Sequence, residues 1–256
     1  MTLFVYDGSF EGLLSCIFES YKQKISPHKI ESRRVYQPRL IGQAVEIETN
    51  GTHAERVIKG LNQRTSGHAE LLLYKIFLSE VPDLETVIFK VAQAIIDKGD
   101  QSALENFANP YVLRCSQIAK MMGREIHRMH AFVRFQHRHD GLYYACIEPD
   151  FDVIPLIGDH FEKRYADQSW LIFDIKRHYG LYYDLSKTKI ISLEDPELDL
   201  SIGQSPVMDE KEKKYQSLWE NYFQSVNIKE RKNTKLHLQH VPKRYWKYLP
   251  EKKHNN

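Results

Sequence analysis

Cysteine is scarce in this chain of 256 residues: Cys16, Cys115 and Cys146 stand far apart, with no paired spacing. A disulfide framework and a four-thiolate metal site are therefore not expected, and all three thiols should be reduced, most of them in the core. Long hydrophobic runs are missing too. No stretch approaches the roughly 18 apolar residues that span a bilayer, and the first residues lack a basic region followed by an apolar one. A soluble, cytoplasmic protein with no membrane partner is the expectation. Nor is there an excess of one charge: the formal net charge is +2, too small by itself to imply a polyanion. No HExxH pattern, P-loop lysine or full glycine fingerprint of a dinucleotide site occurs, so no cofactor is expected.

What is present is a mixture of two hydrophobic periods. Residues 3–6, Leu-Phe-Val-Tyr, read as a buried strand that turns sharply at Asp7, Gly8 and Ser9. Phe10, Leu13, Leu14, Ile17, Phe18 and Tyr21 then fall at helical spacing. Residues 43–48 alternate as a second strand, and Thr52 with Glu55 makes a capping box before another amphipathic helix. Two further apolar stripes, Ala69 to Phe77 and Leu84 to Ile96, the latter stopped by Gly99, complete a helical layer.

Asn109-Pro110 is a cap followed by proline at the first helical position, and the stripe Val112, Leu113, Ile118, Met122, Ile126 and Met129 predicts a long helix. The period then becomes alternating. Residues 131–137 read as a strand, 142–147 as its hairpin partner, and 170–175, 181–184 and 189–193 as further strands, with a helix near 159–165. This predicts an antiparallel sheet with an inserted helix. Residues 196–209 read as an acidic loop, and Tyr215, Leu218, Trp219, Tyr222, Phe223 and Val226 mark an amphipathic helix. The fold class is α+β. Three regions follow, 1–108, 109–200 and 201–256, which together can form one domain.

Four places could carry chemistry. The turn Asp7, Gly8, Ser9 precedes a helix, where free N–H groups and the helix dipole favour an anion; a plain capped turn is the alternative. His127, His130, His137 and His139, with the alternating Glu148, Asp150 and Asp152, offer metal-binding types without a metal-site spacing, so no metal is assigned. A small repeat relates residues 138–144, Arg-His-Asp-Gly-Leu-Tyr-Tyr, to residues 177–183, Arg-His-Tyr-Gly-Leu-Tyr-Tyr. Either Gly141 and Gly180 supply positive φ in two similar hairpin turns, or the hairpins present Arg138, His139, Tyr143, Arg177 and Tyr182, with Arg134, to one ligand. Finally, the C-terminal segment concentrates cations. Arg231, Lys232, Lys235, Lys243, Arg244 and Lys247 are positioned to meet phosphates there, and Trp246 to stack on a base.

Several segments together resemble a known family. Residues 6–14 (YDGSFEGLL), 129–135 (MHAFVRF), 156–165 (LIGDHFEKRY), 170–174 (WLIFD) and 242–250 (PKRYWKYLP) are similar to those of an uncharacterised bacterial family associated with DNA metabolism. Its members are encoded beside a radical-SAM protein assigned to DNA modification or repair, and a similar domain is fused elsewhere to a uracil-DNA-glycosylase-like domain. The resemblance implies an accessory role in DNA modification or repair, with DNA and the radical-SAM protein as partners. The alternatives are a metal-dependent nuclease or base-modifying hydrolase, and an interaction scaffold that does not touch nucleic acid. This chain is not the radical-SAM enzyme, because it lacks three closely spaced cysteines for an iron–sulfur cluster.

Overall fold

The computed structural model describes residues 2–38, 43–138, 141–192, 241–249 and 252, which fall into two units, Met1–Met122 and Gly123–Asn256. The amphipathic helix expected around Trp219 and the cations Arg231, Lys232 and Lys235 lie outside the described residues. The fold is α+β, as the two periods in the sequence predict.

In the first unit, strand β1 (Thr2–Tyr6) is the centre of a parallel three-stranded sheet, with β2 (Lys29–Ser32) on one side and β3 (Gln43–Glu46) on the other. Its apolar run makes it the central strand: Phe4, Val5 and Tyr6 are all buried. Helix α1 (Phe10–Gln23) starts at Ser9, whose hydroxyl accepts from the Gly12 N–H at 2.9 Å, and it buries Leu13, Leu14, Cys16 and Ile17. Helices α2 (Gly51–Arg64), α3 (His68–Leu78) and α4 (Leu84–Lys98) pack with it as the expected helical layer. Helix α2 does not use the Thr52–Glu55 box. Asn50, extended at φ −131°, reaches the His53 N–H at 3.1 Å and caps the helix two residues earlier. Helix α4 ends at Gly99, with φ +82°, as expected.

Helix α5 (Pro110–Phe132) begins where Asn109-Pro110 predicts, with the Asn109 side chain accepting from the Tyr111 N–H at 2.9 Å. It extends further than expected. Residues 131 and 132 complete the helix, and only β4 (Gln136–His137) remains of the strand predicted over 131–137. Continuing burial along one helical face, through Ile118, Met122, Glu125 and Met129, keeps the segment helical.

The second unit carries a five-stranded sheet in the order β4, β5 (Tyr143–Ile147), β6 (Trp170–Asp174), β7 (Tyr179–Tyr183) and β8 (Thr188–Ser192). It is mixed, not wholly antiparallel. Helix α6 (Ile154–Arg164) carries the chain back between β5 and β6, so these two strands run parallel, while the other neighbours are antiparallel. One sheet face receives α6: Phe161 stands 6.1 Å from the Trp170 ring, and Gly158 leaves room for Leu181. The opposite face carries a cluster of Tyr144, Leu171, Phe173 and Ile191.

The two repeated heptapeptides take different structures. Gly141 has φ +87° in the turn before β5, as expected. Gly180 instead lies within β7, and the positive φ of its hairpin falls on His178, at 59°. Gly180 is needed for closeness: a Cβ there would press on the Ile172 carbonyl oxygen and lie 3.0 Å from Phe173 Cα.

Candidate nucleic-acid interface

The organising group of the second unit is a carboxylate on a helix face that otherwise buries apolar side chains. Glu125 is 1% exposed. Its oxygens accept from the Asp150 N–H at 2.9 Å, Arg128 Nη1 at 3.2 Å, Arg244 Nη2 at 3.1 Å and the buried Tyr245 hydroxyl. Such a charge is tolerable only because donors surround it. Burial, and then the neighbouring Glu125 carboxylate, push the Tyr245 hydroxyl well above its ordinary range, so it remains a donor.

Through these bonds Glu125 ties the segment after β5 to the 3-10 helix Lys243–Tyr248. The same segment is held from the β6–β7 hairpin. Arg177, paired with the fully buried Asp174 at 2.8 Å, donates to the carbonyls of Pro149 at 3.2 Å and Asp150 at 3.1 Å; Lys176 Nζ donates to the Asp150 carbonyl at 3.3 Å. On the solvent side, Asp150 Oδ2 meets Arg244 Nη2 at 2.7 Å, and Glu148 takes Lys247 and, at 2.7 Å, the Tyr248 hydroxyl. Hydrogen bonds from Lys247 and Tyr248 hold the Glu148 carboxyl below its usual range, so it is ionised at neutral pH.

Between the two segments lies a cleft of about 580 Å³, with Glu148, Asp150 and Lys176 on one side and Lys243, Arg244, Trp246 and Lys247 on the other. Four cations there outnumber two carboxylates. The indole is fixed by its own N–H, which donates to the Val241 carbonyl at 3.1 Å, and Lys243 and Lys252 lie 5.9 and 5.6 Å from its ring centroid. An anchored aromatic side chain amid cations is suited to a ligand that is both planar and anionic.

Of the C-terminal residues singled out from sequence, Lys243, Arg244, Trp246 and Lys247 all line this cleft. The hairpin residues do not converge. Tyr143 is in register with Trp170 and Tyr183, whereas Tyr182 is in register with Leu171, so the two tyrosines face opposite sides of the sheet. Arg138 lies before the start of β5 and Arg177 beyond the end of β6, at opposite ends of those parallel strands. Arg177 acts from beneath the cleft, as a clamp on the backbone at Pro149 and Asp150. Arg134 donates to the Ala131 carbonyl at 2.7 Å at the end of α5, and His139 lies outside the described residues.

In the first unit, the turn at Asp7, Gly8 and Ser9 is filled by its own carboxylate. Asp7 accepts from the Ser9 N–H at 2.8 Å, the Ser9 hydroxyl at 2.7 Å and Thr49 at 2.7 Å. Burial acts to raise its pKa, but these bonds outweigh it and hold the carboxyl below its usual range. The three carboxylates considered for a metal point to separate partners: Glu148 to Lys247, Asp150 to Arg244, and Asp152 to the Tyr179 hydroxyl. Among the described residues, no three His, Cys, Asp or Glu side chains are grouped to hold a metal ion. The cysteines are free, and burial raises Cys16 and Cys115 each to about 12, which keeps them protonated and unreactive.

Sequence reasoning missed Glu125. The signal was present, because Ile118, Met122, Glu125 and Met129 share one helical stripe, and an acidic residue on such a stripe calls for buried partners.

Fold and cleft together define an α+β protein with a basic, tryptophan-bearing cleft, and none of its described helices is long and apolar enough to cross a membrane. The chain belongs to the family described as a domain of unknown function, DUF4130, whose profile matches residues 82–251. No curated protein and no solved structure matches it.

Proposed function

We propose that this protein is a cytoplasmic accessory factor in DNA modification or repair, which binds nucleic acid or a damaged nucleotide through the cleft of its second unit. The observation that carries the reading is the cleft itself, in which Lys176, Lys243, Arg244 and Lys247 surround the anchored Trp246. Phosphates would meet the cations, and a base would stack on the indole by displacing the flexible lysines above it. The resemblance of the chain to a family associated with DNA metabolism supports the same reading, and it supports a radical-SAM protein as the working partner.

The test is binding to labelled single- and double-stranded DNA across a salt series. Arg244 is left intact, because it neutralises the buried Glu125. Replacing Lys176, Lys243 and Lys247 together by Gln should weaken binding to every sequence and reduce the duplex salt slope by about 2 to 3. Trp246→Ala should cost about 1–3 kcal/mol of single-strand affinity with little change in slope. No binding by the wild-type protein, or wild-type affinity in the triple variant, would reject the reading.

A further inference from the structure

The cleft's two carboxylates suggest a more specific arrangement, which rests on the nucleic-acid reading above. Arg244 is held by two acids of different kinds. Glu125, on its inner side, is buried and bonded to four donors; Asp150, on its outer side, is 52% exposed at the side chain and contacts Arg244 at 2.7 Å. Glu125 therefore fixes the guanidinium, while Asp150 is a replaceable outer partner. Lys247 has the same arrangement in simpler form. It is more than half exposed, and its partner Glu148 lies at the cleft wall, ionised and also bonded to Tyr248.

We infer that Arg244 and Lys247 are two phosphate subsites, and that Asp150 and Glu148 occupy them in the unliganded protein as internal stand-ins for the phosphates. An entering strand exchanges each carboxylate for a phosphate. The exchange is cheap because exposed ion pairs are weak, and it discriminates against weak anions, since only a ligand that offers more than a carboxylate does can displace one. The carboxylates also halve the positive charge of the empty cleft, which lowers the rate at which any passing polyanion is captured.

The arrangement makes an unusual prediction: removing either acid should strengthen binding. Glu148→Gln and Asp150→Asn keep the side-chain shapes and lie at the surface. Their affinities for a short fluorescein-labelled single strand are to be compared with that of Asp184→Asn. Asp184 is an acid of the β7–β8 turn, paired with Lys189 at 2.7 Å and outside the cleft, so it controls for the general effect of one lost negative charge. The double cleft variant should bind about 2- to 30-fold tighter, as expected for two released exposed ion pairs. Its single-strand salt slope should stay close to that of the wild type, because the same two cations meet phosphates in both complexes. Asp184→Asn should change neither. Tightening in the cleft variants alone supports the subsites. If the wild-type protein binds DNA and the cleft variants bind no tighter than Asp184→Asn, the subsites are refuted while the nucleic-acid reading stands. If none of the proteins binds, both fall.

Discussion

Replacing Glu125 by Ala should destabilise the second unit by about 3–5 kcal/mol, and the value can be built from its four donors. Arg244 retains Asp150 and is 37% exposed at its side chain, and Arg128 is partly exposed, so water compensates both and their share is small. The Tyr245 hydroxyl has no such recourse. It would become a buried donor without an acceptor, at about 1–3 kcal/mol, and the loss of the acceptor for the part-buried Asp150 N–H and the collapse of a charged site around Arg244 add to that. Glu125→Gln keeps the shape and one acceptor oxygen, so it should cost about half as much. Urea unfolding followed by far-UV circular dichroism measures both, with a Glu125/Arg244 double-mutant cycle to isolate the pair. The coupling should be no more than about 1 kcal/mol, because Arg244 keeps Asp150 and water. If both single variants stay within about 0.5 kcal/mol of wild type, the range of an ordinary surface change, then Glu125 is not the buried hub described above.

Two further outcomes follow from the second unit. Gly180→Ala should lower stability by about 1–3 kcal/mol, because the atoms its Cβ meets are backbone and cannot move aside; an unchanged melting temperature would show that the strands can part. His130 stacks on His160 at 4.0 Å, and burial, then His160 and His127, depress its pKa, so the fold holds it neutral. Its contribution is present above the unfolded value of about 6.5 and is lost as pH falls through the lower folded value. The melting temperature should therefore drop as pH falls below about 7, and His130→Phe should flatten that drop; an equal drop in the variant would place the titration elsewhere.

Much of the fold was legible in the sequence because it is local. The strand and capped turn of residues 3–9, the stop at Gly99 and the start at Asn109-Pro110 depend on side chains within a few positions of one another, and each falls where expected. Apart from the Thr52–Glu55 box, what failed was not local. Nothing in residues 142–147 reveals that their next neighbour runs parallel, since that depends on where α6 returns the chain. The repeated heptapeptides misled for the same reason: identical glycines serve a turn in one copy and a close strand contact in the other. For the cleft, the basic C-terminal residues were visible as a group, but the acids they meet lie about a hundred residues away in sequence. Lys176 and the Arg177 clamp required the hairpin to be placed first.

The bond between Glu125 and Tyr245 spans 120 residues, nearly the full length of the second unit. Its consequence concerns synthesis. While a ribosome is still making the chain, the sheet can pair and α6 can cover it, but Glu125 must wait, partly hydrated, for two of its partners to be translated about 120 residues later. Closing so long a loop is entropically costly and comes late in folding. Until Arg244 and Tyr245 emerge, the helix face around Glu125 cannot dehydrate, and the Glu148–Asp150 segment lacks its cap. The cleft is thus completed only with the Lys243–Tyr248 helix, so a chain released before that helix presents no finished binding surface.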